Sequence, residues 1–236
     1  MAVITFYNRG YQTADEEIID YEFWELPGID GSCRGPKVDL ERPYFSCIGA
    51  AQTFGRFVQE PYPTLLARTL DAQALNLGFS GVGPSFFLGR PKFFDFINNG
   101  KFCIVQMLSG RSISNSVFEV SPANQGLSRR KDVNARQNDR FLLAQHAYEE
   151  YLRTASQEEL QALREEIRQR YVELMKELLA KIKIPKVLLY FSRRAPNYAE
   201  GFSTIHAYWG DLPHFVNGAV VASLKEEALE HGSIVR

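Results

Sequence analysis

Four short apolar runs, each closed by glycine or small polar residues, leave few folds open to this chain. They are residues 44–49 (YFSCIG), 73–77 (QALNL), 101–107 (KFCIVQM) and 186–191 (KVLLYF). Strands that are apolar along their whole length are buried on both faces, and strands that alternate with helices pair in parallel. The intervening stretches read as helices. PYPTLLARTLDA carries Pro61 and Pro63 near its start, and PSFFLGRPKFFDFINNG is broken at Pro91. The expectation is an α/β domain built on a three-layer parallel sheet, spanning residues 44–236.

Two segments stand outside that rhythm. Residues 1–43 are polar and irregular, with turn residues in ELPGIDGSCRGPK, and read as an N-terminal wrap over the domain. Between the third and fourth strands lies a long helical insertion, about residues 115–184. In it Ser156 and Glu159 have the spacing of a capping box. Behind them Leu160, Leu163, Ile167, Tyr171, Leu174 and Leu178 fall on one helical face. That stripe is read as packing on its own domain; the alternative is a helical hairpin that forms a homodimer. The basic run at 128–131 (SRRK) reads as a solvated loop.

Composition removes several classes of function. A formal net charge of −1 gives no general electrostatic case for nucleic acid. Cys33, Cys47 and Cys103 are scattered, with no spacing that suggests zinc or another metal site and no even framework that suggests secretion. The first residues lack the pattern of a signal peptide, and no apolar run approaches the roughly 20 residues needed to span a bilayer. A cytoplasmic protein without a membrane span is expected.

Ligands of open parallel sheets bind beyond the carboxyl ends of the strands. The loops there are GAAQTFGR after the first strand, GFSGVGPS after the second, SGRSISNS after the third, and SRRAPNY with the later GDLPHF after the fourth. Glycine lets a backbone approach a ligand closely, and the arginine fork suits carboxylate, phosphate or sulfate.

These loops resemble the conserved blocks of the SGNH/GDSL hydrolases. NLGFSGVGP is similar to their second block, SGRSISN stands where their Gly-x-Asn-Asp block belongs, and Asp211 to His214 (DLPH) matches their terminal Asp-x-x-His. IGAAQTFG occupies the nucleophile block, but Ala50 and Ala51 stand at the positions of its aspartate and serine. Ser112 stands at that of the oxyanion-hole asparagine. Gln52 is similar to the glutamine of capsule-polysaccharide acetyltransferases of the same general fold, which work with coenzyme A. The run from DYEFWELPG through SGRSISNS resembles an uncharacterised bacterial family whose members sit among polysaccharide genes. The resemblance implies a flavodoxin-like or SGNH-like sheet, with Asp211 and His214 as acid and base. It implies a donor site at Gly49, Gln52, Thr53, Gly81, Gly110, Arg111, Ser112, Asn115, Arg193 and Arg194.

The residues themselves can be weighed beside it. His214 is the best candidate base, since imidazole titrates near neutral pH and Asp211 is close enough in sequence to orient it. The bland alternative makes GDLPHF a capped helix start. His206 is a weaker second, and His146 and His231 read as helix-surface residues. Arg111 suits an anion or an ion pair within its loop. By strand alternation, one of Arg193 and Arg194 should face inward and the other solvent. Tyr198, Phe202, Tyr208 and Trp209 flank the candidate site, with core packing their ordinary role. No replacement nucleophile emerges: Thr53 points elsewhere, Cys47 lies inside a strand, and Ser80, Ser109, Ser112 and Ser114 are ordinary loop serines.

A base without a nucleophile points to direct group transfer, acyl or sulfuryl, onto a carbohydrate hydroxyl, from a donor left open between acyl-coenzyme A and PAPS. The rival readings are a non-catalytic SGNH-like module binding a saccharide or anion, and an SGNH-type esterase with an unconventional nucleophile.

Overall fold

In the computed structural model, which describes residues 15–122, 124–131 and 140–228, the chain begins with an antiparallel pair, β1 (Trp24–Glu25) and β2 (Ser32–Cys33). The alternation then sets in: β3 (Tyr44–Gly49), α1 (Ala51–Phe54), α2 (Tyr62–Thr69), β4 (Gln73–Gly78), α3 (Pro84–Leu88), α4 (Lys92–Asn99) and β5 (Cys103–Gln106). After a 3₁₀ turn at Gly110–Ser112 come β6 (Phe118–Val120), β7 (Leu127–Arg130), β8 (Leu142–Leu143), α5 (Ala144–Leu152) and α6 (Gln157–Lys181). The chain closes with β9 (Lys186–Leu189), α7 (Ile205–Trp209) and α8 (Gly218–Lys225).

The four apolar runs do form one sheet, ordered β4-β3-β5-β9 and parallel throughout. Alternation divides their side chains between two faces. Phe45, Cys47, Ala74 and Ile104 pack with Tyr62, Leu66 and Ala67 of α2. Tyr44, Ile48, Leu75, Leu77, Val105 and Leu188 join a larger core with α3, α4, α6 and α8. Trp24, Leu26, Cys33 and Val38 of the N-terminal segment are buried in that same core. The sequence order runs from β3 outward to β4 and then back across to β5. The reversal makes the crevice beyond β3 and β5 the natural binding place.

The insertion differs from its sequence reading in one respect. It opens with a three-stranded antiparallel sheet, β6-β7-β8, before any helix begins. The basic run at 128–131, read as a solvated loop, lies largely in β7, with Ser128 fully buried. The sheet forms because Phe118 stacks on Tyr148 of α5 at 4.1 Å, which gives strands that are mostly polar one strong apolar anchor.

Helix α6 begins as its capping box specifies. Glu159 N–H donates to Ser156 Oγ at 3.2 Å, and Ser156 N–H donates to Glu159 Oε2 at 2.7 Å. Its apolar stripe is buried within the chain: Leu160, Leu163 and Ile167 pack with α5 and α7, and Tyr171 and Leu178 with the main core. No helix among the described residues is long and apolar enough to cross a membrane.

Candidate functional site

The turn after β3 is clamped from three sides. Gln106, at the end of β5, accepts from Ala50 N–H at 3.0 Å and from Thr53 Oγ1 at 2.7 Å through its Oε1, and donates from Nε2 to Gln52 Oε1 at 2.9 Å. Asn76 of β4 donates to Thr53 O at 3.0 Å. Arg34, from the N-terminal segment, donates to the carbonyls of Phe54, Gly55, Val58 and Gln59. Such close packing explains two glycines. A Cβ on Gly49 would fall on Thr53 Oγ1 and Gln106 Oε1, and one on Gly78 would strike the backbone of Thr53 and Phe54. The tip is rigid, and Ala50 and Ala51 leave no reactive atom on it.

His214 approaches from the other end of the chain. Residues 210–216 form a turn rather than a capped helix start, and the next helix, α8, is capped by Asn217. The imidazole stacks on Trp209 at 4.6 Å, and its Nδ1 meets Ser109 Oγ at 2.9 Å. The Asp211 carboxylate lies 3.3 Å from Arg193 Nη2 and 3.7 Å from His206 Nδ1. Ser109, not Asp211, therefore holds the His214 ring.

Helix α6 fixes this turn from behind. Arg168 Nε donates to Phe215 O at 3.1 Å, and Arg164 and Arg168 both pair with Glu200. The Glu200 carboxyl is held below its ordinary range: burial opposes ionisation, but the Arg168 guanidinium outweighs it together with Asn217 and Arg164.

Burial, and then the charges of Arg111, Arg194 and His206, hold the His214 imidazole well below its ordinary 6.5. It is neutral at physiological pH. Unfolded, the same group titrates near 6.5. Between its native value and 6.5 the unfolded chain holds the extra proton, so native stability rises with pH across that window and is lost as pH falls through it. Urea unfolding midpoints measured between about pH 5 and pH 7 should show this acid loss. His214→Phe, which can keep the stack on Trp209, should reduce it, and an unchanged pH profile would show that His214 is not buried neutral.

His214 lines a pocket of about 560 Å³ together with Gln52, Arg111, Arg193, Asp211 and Trp209. Phe191, Ser192, His206 and Gln145 complete much of the wall. Other predicted site residues lie elsewhere. Thr53 is fully buried between Gln106 and Tyr62, where it serves the clamp. Asn115 is buried too; its Oδ1 accepts from Val117 and Phe118 N–H groups and its Nδ2 donates to Tyr148 OH. Gly110 packs under Phe215 and donates to His214 O at 3.0 Å. Ser112 donates to Gly81 O at 3.1 Å and lines a different pocket.

Of the two adjacent arginines, Arg193 is exposed and Arg194 half-buried, its guanidinium 3.2 Å above the centre of the Tyr198 ring. Cys47 is no hidden nucleophile, since burial, reinforced by Cys103, pushes its thiol well above the usual range despite a hydrogen bond with Tyr62. His146 is exposed on α5, and His231 lies outside the described residues.

Gln106 is a site position that sequence reasoning passed over, and Ser109 one that it read as an ordinary loop serine. Their only signal is a polar residue ending an apolar strand and the first serine of the following loop.

A family model described as a domain of unknown function (DUF6473) matches residues 10–235. Neither a curated protein nor a solved structure matches the chain.

Proposed function

The chain belongs to the family described as a domain of unknown function (DUF6473), and from the chemistry of its pocket we propose that it is a group transferase acting on a carbohydrate hydroxyl. His214 carries this reading: a neutral imidazole in the pocket wall beside Arg111, with no reactive side chain on the Ala50–Ala51 tip. In the tautomer protonated at Nδ1, that nitrogen donates to Ser109 Oγ and Nε2 keeps the lone pair that a general base needs. The acceptor hydroxyl gives its proton to His214 as its oxygen bonds to the acyl carbon or sulfuryl sulfur of the donor. The bond to the donor's leaving group breaks, and that group takes the proton from His214 as it departs.

Acyl-coenzyme A and PAPS are the donors that fit, because both are anionic. Arg111 and Arg193 would hold the anionic part, and Trp209 and Phe191 offer flat surfaces beside it. The strand order and the helices packed against each face support a three-layer, SGNH-like architecture. A second reading, a saccharide- or anion-binding module without turnover, is favoured by one observation: Asp211 is engaged by Arg193 and His206 instead of by His214.

Intact-mass measurement after incubation with an activated acyl ester, together with calorimetry against acetyl-coenzyme A and PAPS, separates the readings. Direct transfer expects donor binding without a covalent adduct. A stoichiometric adduct on a pocket residue would instead establish an esterase-type intermediate. Absence of both would leave the binding module.

A further inference from the structure

Ser112, the neighbour of Arg111, lines a second pocket of about 560 Å³ that lies outside the proposed transfer site. Its wall comes from Ser85 of α3, Arg90, Ser114, Gln125 and Arg170 of α6, besides Ser112 itself. No carboxylate lines it among the described residues. Two guanidiniums in one wall without an acid are unusual in a chain whose formal net charge is −1.

At Ser114 and Gln125 the fixed hydrogen bonds of this wall engage the acceptor and leave donors, whereas Ser112 spends its hydroxyl proton on Gly81 O. Val120 N–H donates to Ser114 Oγ at 3.0 Å, so the Ser114 hydroxyl keeps its own proton to give. Gly83 N–H donates to Gln125 Oε1 at 2.7 Å, which leaves the Gln125 Nε2 hydrogens for a ligand. Arg90 is held at the rim by its bond to Phe86 O at 3.0 Å and by stacking 4.1 Å from the centre of the Phe86 ring. Arg170 is exposed and has no ion-pair partner among the described residues. A neutral sugar would demand acceptors for its hydroxyl protons. This wall supplies N–H and O–H groups and positive charge.

We propose that the second pocket binds a phosphoryl or sulfuryl oxyanion carried by a small organic molecule. Tetrahedral oxyanions take several donors at once, and arginine meets them with paired N–H groups. A volume of about 560 Å³ exceeds what a bare ion fills and suits a small-molecule ligand.

Calorimetry of the full chain with inorganic phosphate, and separately with sulfate, tests the proposal against sodium chloride at equal ionic strength. Phosphate or sulfate should bind, and phenyl phosphate should bind more tightly than the inorganic ion. Arg170→Gln, at an exposed position where the fold is unaffected, should raise Kd by about tenfold or more. Arg111→Gln, in the first pocket, should leave Kd unchanged. Four results would overturn the site: no binding beyond that of chloride, phenyl phosphate binding no better than phosphate, loss through Arg111→Gln with none through Arg170→Gln, or equal loss in both. None of these readings depends on turnover, so failure here is separable from failure of the transferase.

Discussion

Replacing His214 by alanine is expected to lower turnover by about 10²–10⁴-fold while leaving donor binding intact. The loss follows from the role of Nε2, since without it the acceptor hydroxyl must surrender its proton to water. In the proposed mechanism donor affinity rests on other groups, Arg111 and Arg193 of the same pocket wall foremost, and is preserved. Arg111→Ala should do the reverse and weaken an anionic donor by about 1.5–3 kcal/mol, the worth of a hydrogen bond to a charged group. It should also raise the His214 pKa, because Arg111 is one of the positive neighbours that lower it. The acid limb of the rate profile would then move to higher pH. Steady-state kcat and KM for the two variants, with donor binding measured separately, decide the matter. A His214→Ala protein that keeps its turnover would remove the base from the mechanism.

The sheet is legible in the sequence because its strands are buried on both faces, which writes them as mainly apolar runs such as FSCI and CIV. Helix α6 is equally plain, announced by Ser156 and Glu159 and sustained by a stripe from Leu160 to Leu178. The β6-β7-β8 sheet is not legible, because strands of two to four residues with sequences such as LSRR carry too few positions to establish a period. Its anchor is a contact between Phe118 and Tyr148, which lie far apart in sequence.

The site divides in the same way. Gln52, Arg111, Arg193, Asp211 and His214 come together because parallel strands deliver all their following loops to one edge. What sequence order cannot supply is the choice of partner. Thr53 and Asn115 have the residue types of ligand binders, yet both are consumed by local clamps. Gln106 looks like a stray polar residue in an apolar strand until its hydrogen bonds to Ala50, Gln52 and Thr53 are seen. Asp211 and His214 keep the spacing of an acid–base pair, but Arg193 and His206 engage the acid and Ser109 the base.

Arg34→Lys should destabilise the protein by about 3–4 kcal/mol, nearly as much as Arg34→Met. The Arg34 guanidinium is almost fully buried, 4.7 Å from the centre of the Tyr21 ring and 5.5 Å from that of Phe54. One of its terminal nitrogens serves the carbonyls of Phe54 and Gly55, the other those of Val58 and Gln59. A lysine keeps the charge but brings a compact ammonium, which cannot reach four carbonyls from two separated nitrogens. The carbonyls of Phe54 and Gly55 belong to buried residues, and each left without a donor would cost about 1–3 kcal/mol, whereas those of the exposed Val58 and Gln59 can turn to water. The disturbance would occur in residues 54–59, directly behind Gln52, so the rim of the first pocket should loosen with it. Urea unfolding should show a lower midpoint at an unchanged slope, which marks a change in stability rather than in the surface exposed. An Arg34→Lys protein within about 1 kcal/mol of the parent would mean that charge alone holds the turn, and that the planar fork contributes little.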